Sequence, residues 1–161
     1  MNKKLFVTVL MAFSLSFFLS AQNVKTELLD YINKGIAKFG DLERNALSAY
    51  ESVTGNNYKD DNTMCTAMTK TVIPTYSKMI DKLKALSTSL KTKEMQALND
   101  IYLVAAKVQL NAFNMITIGI KENNKDVVLL ANKKLERARR MLDEWQGELD
   151  ELCQYYGIVI Q

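Results

Sequence analysis

Residues 63–90 read TMCTAMTKTVIPTYSKMIDKLKALSTSL. Apolar side chains recur at Met64, Met68, Val72, Tyr76, Met79 or Ile80, Leu83, Leu86 or Ser87, and Leu90, which is the spacing of one helix face. Pro74 interrupts this stretch and is the sole proline of the chain. A proline inside a helix removes one backbone donor and crowds the carbonyl of the preceding turn. Two folds diverge here. If the chain breaks at Pro74, residues 63–73 form a short separate helix that can fold back. If it only bends, residues 63–90 form one long helix. The apolar pattern stays in register on both sides of Pro74, which selects a single helix kinked at that residue.

Three further segments of similar length surround it. Before it, Val24 to Val53 carries Leu28, Ile32, Ile36, Phe39, Leu42, Ala46, Tyr50 and Val53 on one face. Gly35 and Gly40 weaken that helix locally, by up to about 1 kcal/mol each relative to Ala. The stretch GNNYKDDN, residues 55–62, is a loop, with Gly55 as a C-cap and Asn62 as an N-cap for the next helix. After it, Thr92 caps a third helix with Leu98, Ile101, Ala105, Val108, Ala112, Met115 or Ile116, and Ile120 in its stripe. The polar run KENNKD, residues 121–126, leads to a fourth helix capped by Asn124 or Asp126. Its stripe is Val128, Ala131, Leu135, Ala138, Leu142, Trp145, Leu149, Leu152 and Tyr156, and Gly157 closes it.

Each segment is roughly 30 residues, or about 45 Å at the rise of an α-helix. Matched lengths and short connections predict an all-α fold, an antiparallel up-down-up-down four-helix bundle. The composition agrees: 6 glycines and 1 proline in 161 residues leave few helix breakers. The fourth helix begins basic, with Lys133, Lys134, Arg137, Arg139 and Arg140, and ends acidic, with Asp143, Glu144, Glu148, Asp150 and Glu151. That order opposes the helix dipole. The first helix carries Lys25, Lys34 and Lys38 early and Asp41, Glu43 and Glu51 later, so an antiparallel arrangement of the two sets acid against base.

The N-terminus reads MNKKLFVTVLMAFSLSFFLSAQ. Lys3 and Lys4 precede an apolar run from Leu5 to Leu19, and Ala21 offers the small residue that a signal peptidase requires. The run is shorter than the ~20 residues that span a bilayer. Residues 1–21 are therefore expected to be a cleaved signal peptide, of bacterial character, and residues 22–161 a single exported domain, periplasmic or secreted. The rest of the chain is read as having no second apolar stretch long enough to span a membrane. Losing Lys3 and Lys4 takes a chain of formal net charge +3 close to neutrality. Such a domain has no electrostatic call on nucleic acid or an anionic membrane. The run from Lys133 to Arg140 contains Glu136 and is read as a solvated helix face.

Chemistry is scarce. The chain has no histidine, which removes Ser-His-Asp and Cys-His catalysis, Glu-x-x-His di-iron sites and haem ligation through histidine. No glycine-rich phosphate loop occurs. Asp and Glu fall on the polar faces, where a solvated carboxylate is the default. Met64, Cys65 and Met68 offer soft sulfur ligands of the kind that hold Cu(I). The core stripe accounts for both methionines without a metal. Cys65 opens the second helix and Cys153 closes the fourth. In the expected topology those positions lie roughly 40 Å apart by helix length, so the two thiols stay free rather than forming a disulfide.

The expected function is that of a non-enzymatic helical module, without cofactor, that binds another protein in the manner of an inhibitor, immunity protein, chaperone or adaptor. As a free chain it would be a monomer or a weak homo-oligomer. The expected contact surface is the end shared by the 55–62 loop and the 121–126 turn, with Tyr58, Lys59, Asp60, Lys121, Glu122 and Lys125 as its residues. A second reading is a carrier holding an apolar small molecule between the helices, where Ala105, Ala112, Gly119, Ala131 and Ala138 leave room. A third is the Cu(I) site at Met64, Cys65 and Met68.

Overall fold

The computed structural model describes residues 22–159, so the expected signal peptide and the last two residues lie outside the described part. Among the described residues the regular structure is helical throughout, with no strand. Helix α1 runs over residues 22–51, α2 over 61–87, α3 over Lys93–Lys121 and α4 over Lys125–Tyr155. A short 3-10 turn, Gly55–Asn57, lies between α1 and α2.

Two of these helices contain a π turn. In α2 it spans Met68–Val72 and runs directly into the α-helical part Ile73–Ser87, so the chain stays helical through Pro74. A π turn bonds each donor one residue further back than an α turn. Widening the coil ahead of the proline makes room for a ring that would otherwise press on the preceding turn. It also serves the apolar stripe. Met64, Met68, Val72 and Tyr76 follow at steps of four, which in an α-helix drift by roughly 40° per step. The wider turn takes up the drift, and all four side chains are buried. In α1 the π turn spans Tyr31–Ile36. It rotates the face inward by one residue, so Tyr31 and Gly35 are buried where the sequence spacing points to Ile32 and Ile36, which flank the core instead.

The core joins all four helices. Phe39 from α1 packs on Tyr102 from α3 with ring centroids 5.3 Å apart, and Tyr50 packs on Phe113 at 5.0 Å. Tyr76 from α2 meets Phe113 edge-on at 5.3 Å, and Trp145 from α4 meets Tyr102 edge-on at 4.7 Å. Around these rings Leu28, Met68, Met79, Leu83, Met95 and Ile116 are almost fully enclosed. Helix α3 is the most enclosed, with its buried residues well beyond one stripe, including Asn99 and Thr117. This corrects the sequence reading on one point. By length and composition Lys93–Lys121 is apolar enough to cross a membrane, with a mean hydropathy of 1.3 over its best window. A helix with neighbours on several sides is apolar on several sides, and 44% of that window is buried inside the molecule.

The small residues of α3 and α4 are filled by helix contact. Ala105, Ala112, Ala131 and Ala138 are each 0% exposed. A Cβ at Gly119 would lie 2.7 Å from Val128 Cγ2 and 3.0 Å from the Asn124 carbonyl oxygen, so only glycine lets the start of α4 approach α3 this closely. The turn between them is tight. Asn123 takes the left-handed conformation, φ 49°, while Asn123 N–H donates to Ile120 O and Asn124 N–H donates to Gly119 O. Asparagine tolerates that conformation better than most residues. Gly157, φ 63°, ends α4 in the same manner, with Ile158 N–H donating to Cys153 O.

Three local expectations are revised. Asp60, not Asn62, caps α2, its carboxylate accepting from Thr63 N–H at 2.8 Å. Thr92 occupies the N-cap position of α3 but makes no side-chain cap bond; Glu27 of α1 reaches across instead and accepts from Lys91 N–H, Thr92 N–H and the Thr92 hydroxyl. Among the described residues the ion pairs join neighbours along single helices, Lys34 with Asp30, Arg44 with Asp41 and Lys84 with Asp81. The expected pairing of acids on α1 with bases on α4 is not made.

Candidate functional site

The connection between α1 and α2 and the turn between α3 and α4 border one cleft. Its two lobes have volumes of about 380 and 350 Å³. The first is lined by Tyr50, Thr54, Gly55, Tyr58, Met64, Ile116, Val128 and Asn132. The second is lined by Tyr58, Asp61, Met64, Gly119, Ile120, Asn123, Asn124, Lys125 and Val128. Tyr58, Met64 and Val128 belong to both, so the lobes share one wall and every helix contributes to the whole.

Local structure fixes these walls. Thr54 donates its hydroxyl proton to Tyr50 O, and the Asn57 amide donates to Glu51 O, which folds the loop back on the end of α1. Tyr58 is 47% exposed, and its hydroxyl donates to Asp61 Oδ1 at 2.8 Å. That bond to Asp61 pushes the Tyr58 phenol up, so it remains a donor. Asp60 is held below the usual carboxylate range, first by the Thr63 N–H. Asn124 caps α4 by accepting from Val127 N–H at 3.2 Å. The cleft is thus an apolar floor of Met64, Ile116 and Val128 under a polar rim of Asp61, Asn123, Asn124, Lys125 and Asn132.

Of the six residues singled out in the sequence, Tyr58 and Lys125 line this cleft. Lys59, Asp60, Lys121 and Glu122 are exposed beside it but do not form its wall, and the Asp60 carboxylate is engaged in capping α2. The floor residues were absent from the expected site because each also belongs to an apolar helix stripe. Met64 lies at the cleft and Met68 is 0% exposed within the core. Cys65 is partly buried, Cys153 is buried, and both are free thiols.

A larger groove, about 720 Å³, lies between the first half of α1 and the end of α2. Its acids are already engaged: Glu27 accepts three hydrogen bonds from Lys91 and Thr92, and Asp30 pairs with Lys34 at 2.7 Å. Its lining mixes both charge signs.

One titratable group is out of place for a solvated face. Glu43 of α1 is part-buried, and Tyr102 donates its hydroxyl proton to Glu43 Oε2 at 2.5 Å. Burial pushes the Glu43 carboxyl up, against the opposing effect of the Tyr102 hydrogen bond. The sequence carried a signal for this: Glu43 falls at helical spacing between Phe39, Ala46 and Tyr50. Acidity alone had put it on the outside. Compared with known proteins, the chain matches no family model, no curated protein and no solved structure.

Proposed function

We propose that this chain is an exported, non-enzymatic binding module that docks another protein at the cleft between the α1–α2 connection and the α3–α4 turn. The arrangement proposed for it is an antiparallel, up-down-up-down four-helix bundle in which α2 bends at the π turn before Pro74. Side-chain pairings along the helices support that order. Tyr76 meets Gln109, while Leu83 and Ser87 meet Asn99, and Tyr31 meets Trp145.

The observation that carries the functional reading is the cleft itself. It combines a half-exposed tyrosine, fixed by Asp61, with a floor of Met64, Ile116 and Val128 and a rim of short polar side chains. Tyrosine is enriched where proteins contact one another, and an apolar pocket ringed by polar groups suits an anchoring side chain of a partner. Lys59, Lys121 and Glu122 would stand at the margin and set orientation more than affinity. The carrier reading retains one support, since a cleft of 350–380 Å³ also fits a small apolar molecule.

A native mass spectrum of the protein taken from its exported fraction, without reductant, separates these readings. The expected species begins at Gln22, carries no small-molecule adduct and retains two free thiols. An added mass matching a lipid would replace the docking module with a carrier, and a bound copper ion would revive the site at Met64, Cys65 and Met68. A retained leader would remove the exported domain from the proposal.

A further inference from the structure

Midway along the helices, a polar cluster links all four. Glu43 comes from α1, with its Oε2 accepting from the Tyr102 hydroxyl of α3. Tyr76 of α2 lies within the field of the same carboxyl, its own hydroxyl donating to Gln109 Oε1 at 3.0 Å. Trp145 of α4 stacks edge-on against Tyr102 at 4.7 Å, and its indole N–H donates to the Tyr31 hydroxyl at 3.3 Å. Among the described residues no cation is paired with Glu43. An ionised carboxylate here gives up most of its hydration and receives one hydroxyl in exchange.

We propose that Glu43 is a proton-operated latch: with its proton the carboxyl lets α1 close onto Tyr102 of α3 and Trp145 of α4, and without it the carboxylate draws in water and α1 is held less tightly. The titratable groups that face it are Tyr102 from α3 and Tyr76 from α2, while Tyr31 of α1 joins the cluster only through its bond with Trp145. Helix α4 contributes Trp145, which does not titrate. Burial pushes all three tyrosines up, Tyr31 to about 12, so they keep their protons while Glu43 changes state. The sign follows from the raised carboxyl. Its contribution to stability is full below the ordinary carboxyl value and is lost as pH rises through the higher value of the folded state.

The chain contains one tryptophan, and it is a member of this cluster. Trp145 emission therefore reports on the latch directly. The test is an emission titration and a set of thermal melts on residues 22–161, from about pH 4 to 9, a range chosen to bracket carboxyl titration. A single emission midpoint above the ordinary carboxyl value is expected, with the melting temperature falling over the same interval. Glu43→Gln should abolish the emission midpoint and raise the alkaline melting temperature by about 2–4 °C. Tyr102→Phe removes the hydrogen bond that favours the ionised form, so its midpoint should move to higher pH. Amide exchange of the unsubstituted protein gives an independent reading: opening of α1 should increase with pH relative to α3 after correction for intrinsic rates. Emission that still titrates in Glu43→Gln, a midpoint that moves down in Tyr102→Phe, or equal opening of α1 and α3 would each overturn the latch.

Discussion

Gly119 shows how little space some contacts leave. A methyl group there would overlap Val128 Cγ2 and press on the Asn124 carbonyl oxygen, at 2.7 and 3.0 Å. Both neighbours belong to the turn that starts α4, and Gly119 O itself accepts from Asn124 N–H. Gly119→Ala should therefore cost about 1–3 kcal/mol, as overpacking does in a filled interior. Gly147 offers the control, because it lies inside α4 with nothing within 4 Å of its added Cβ. Gly147→Ala should stabilise by roughly 0.5–1 kcal/mol through helix propensity alone. Urea denaturation midpoints of the two variants should move in opposite directions. Glycine spacing in the sequence does not distinguish them, since the difference lies in which partner helix comes near.

At the scale of elements, the polar residue that best explains a helix start is remote in sequence. Glu27 tethers the α2–α3 connection by accepting from Lys91 N–H, Thr92 N–H and the Thr92 hydroxyl. Burial works against its charge, but those hydrogen bonds and the Lys91 ammonium prevail, and its carboxyl is lowered. Its contribution is thus present above the ordinary carboxyl value and is lost as pH falls through the lowered one, opposite in sense to Glu43. Glu27→Ala should cost about 1 kcal/mol, the usual worth of a helix cap. Thermal melts should show that cost near neutral pH and show it shrinking in acid. A constant difference across pH would mean that the carboxylate is not what tethers the connection.

The helices were legible from apolar spacing because each has a continuous stripe to bury. The π turns were not. Their traces are oblique: steps of four from Met64 to Tyr76, and the burial of Tyr31 and Gly35 in place of Ile32 and Ile36. Both turns give up the regular α bonding pattern. Amides of Met68–Val72 should consequently exchange faster than those of the enclosed middle of α3, from Leu98 to Thr117. Uniform protection along α2 would contradict a π turn ahead of Pro74.

At the scale of the whole molecule, the rim of the proposed docking cleft is partly legible in the sequence and its floor is not. Tyr58 and Lys125 stand out in sequence as polar or aromatic residues in connections, and both line the cleft. Met64, Ile116 and Val128 cannot be separated from ordinary core residues by spacing, because the same periodicity that buries a side chain in mid-helix leaves it at a mouth near a helix end. Site-specific photocrosslinking tests the docking cleft most directly. A photoreactive residue would replace Tyr58 in one variant and Leu130, which is 51% exposed on α4, in another. In the exported fraction, Tyr58 is expected to yield one saturable protein adduct that disappears when Val128→Asp is added, while the probe at Leu130 yields none. Adducts of equal yield from both positions, or a Tyr58 adduct indifferent to Val128→Asp, would contradict docking at this cleft.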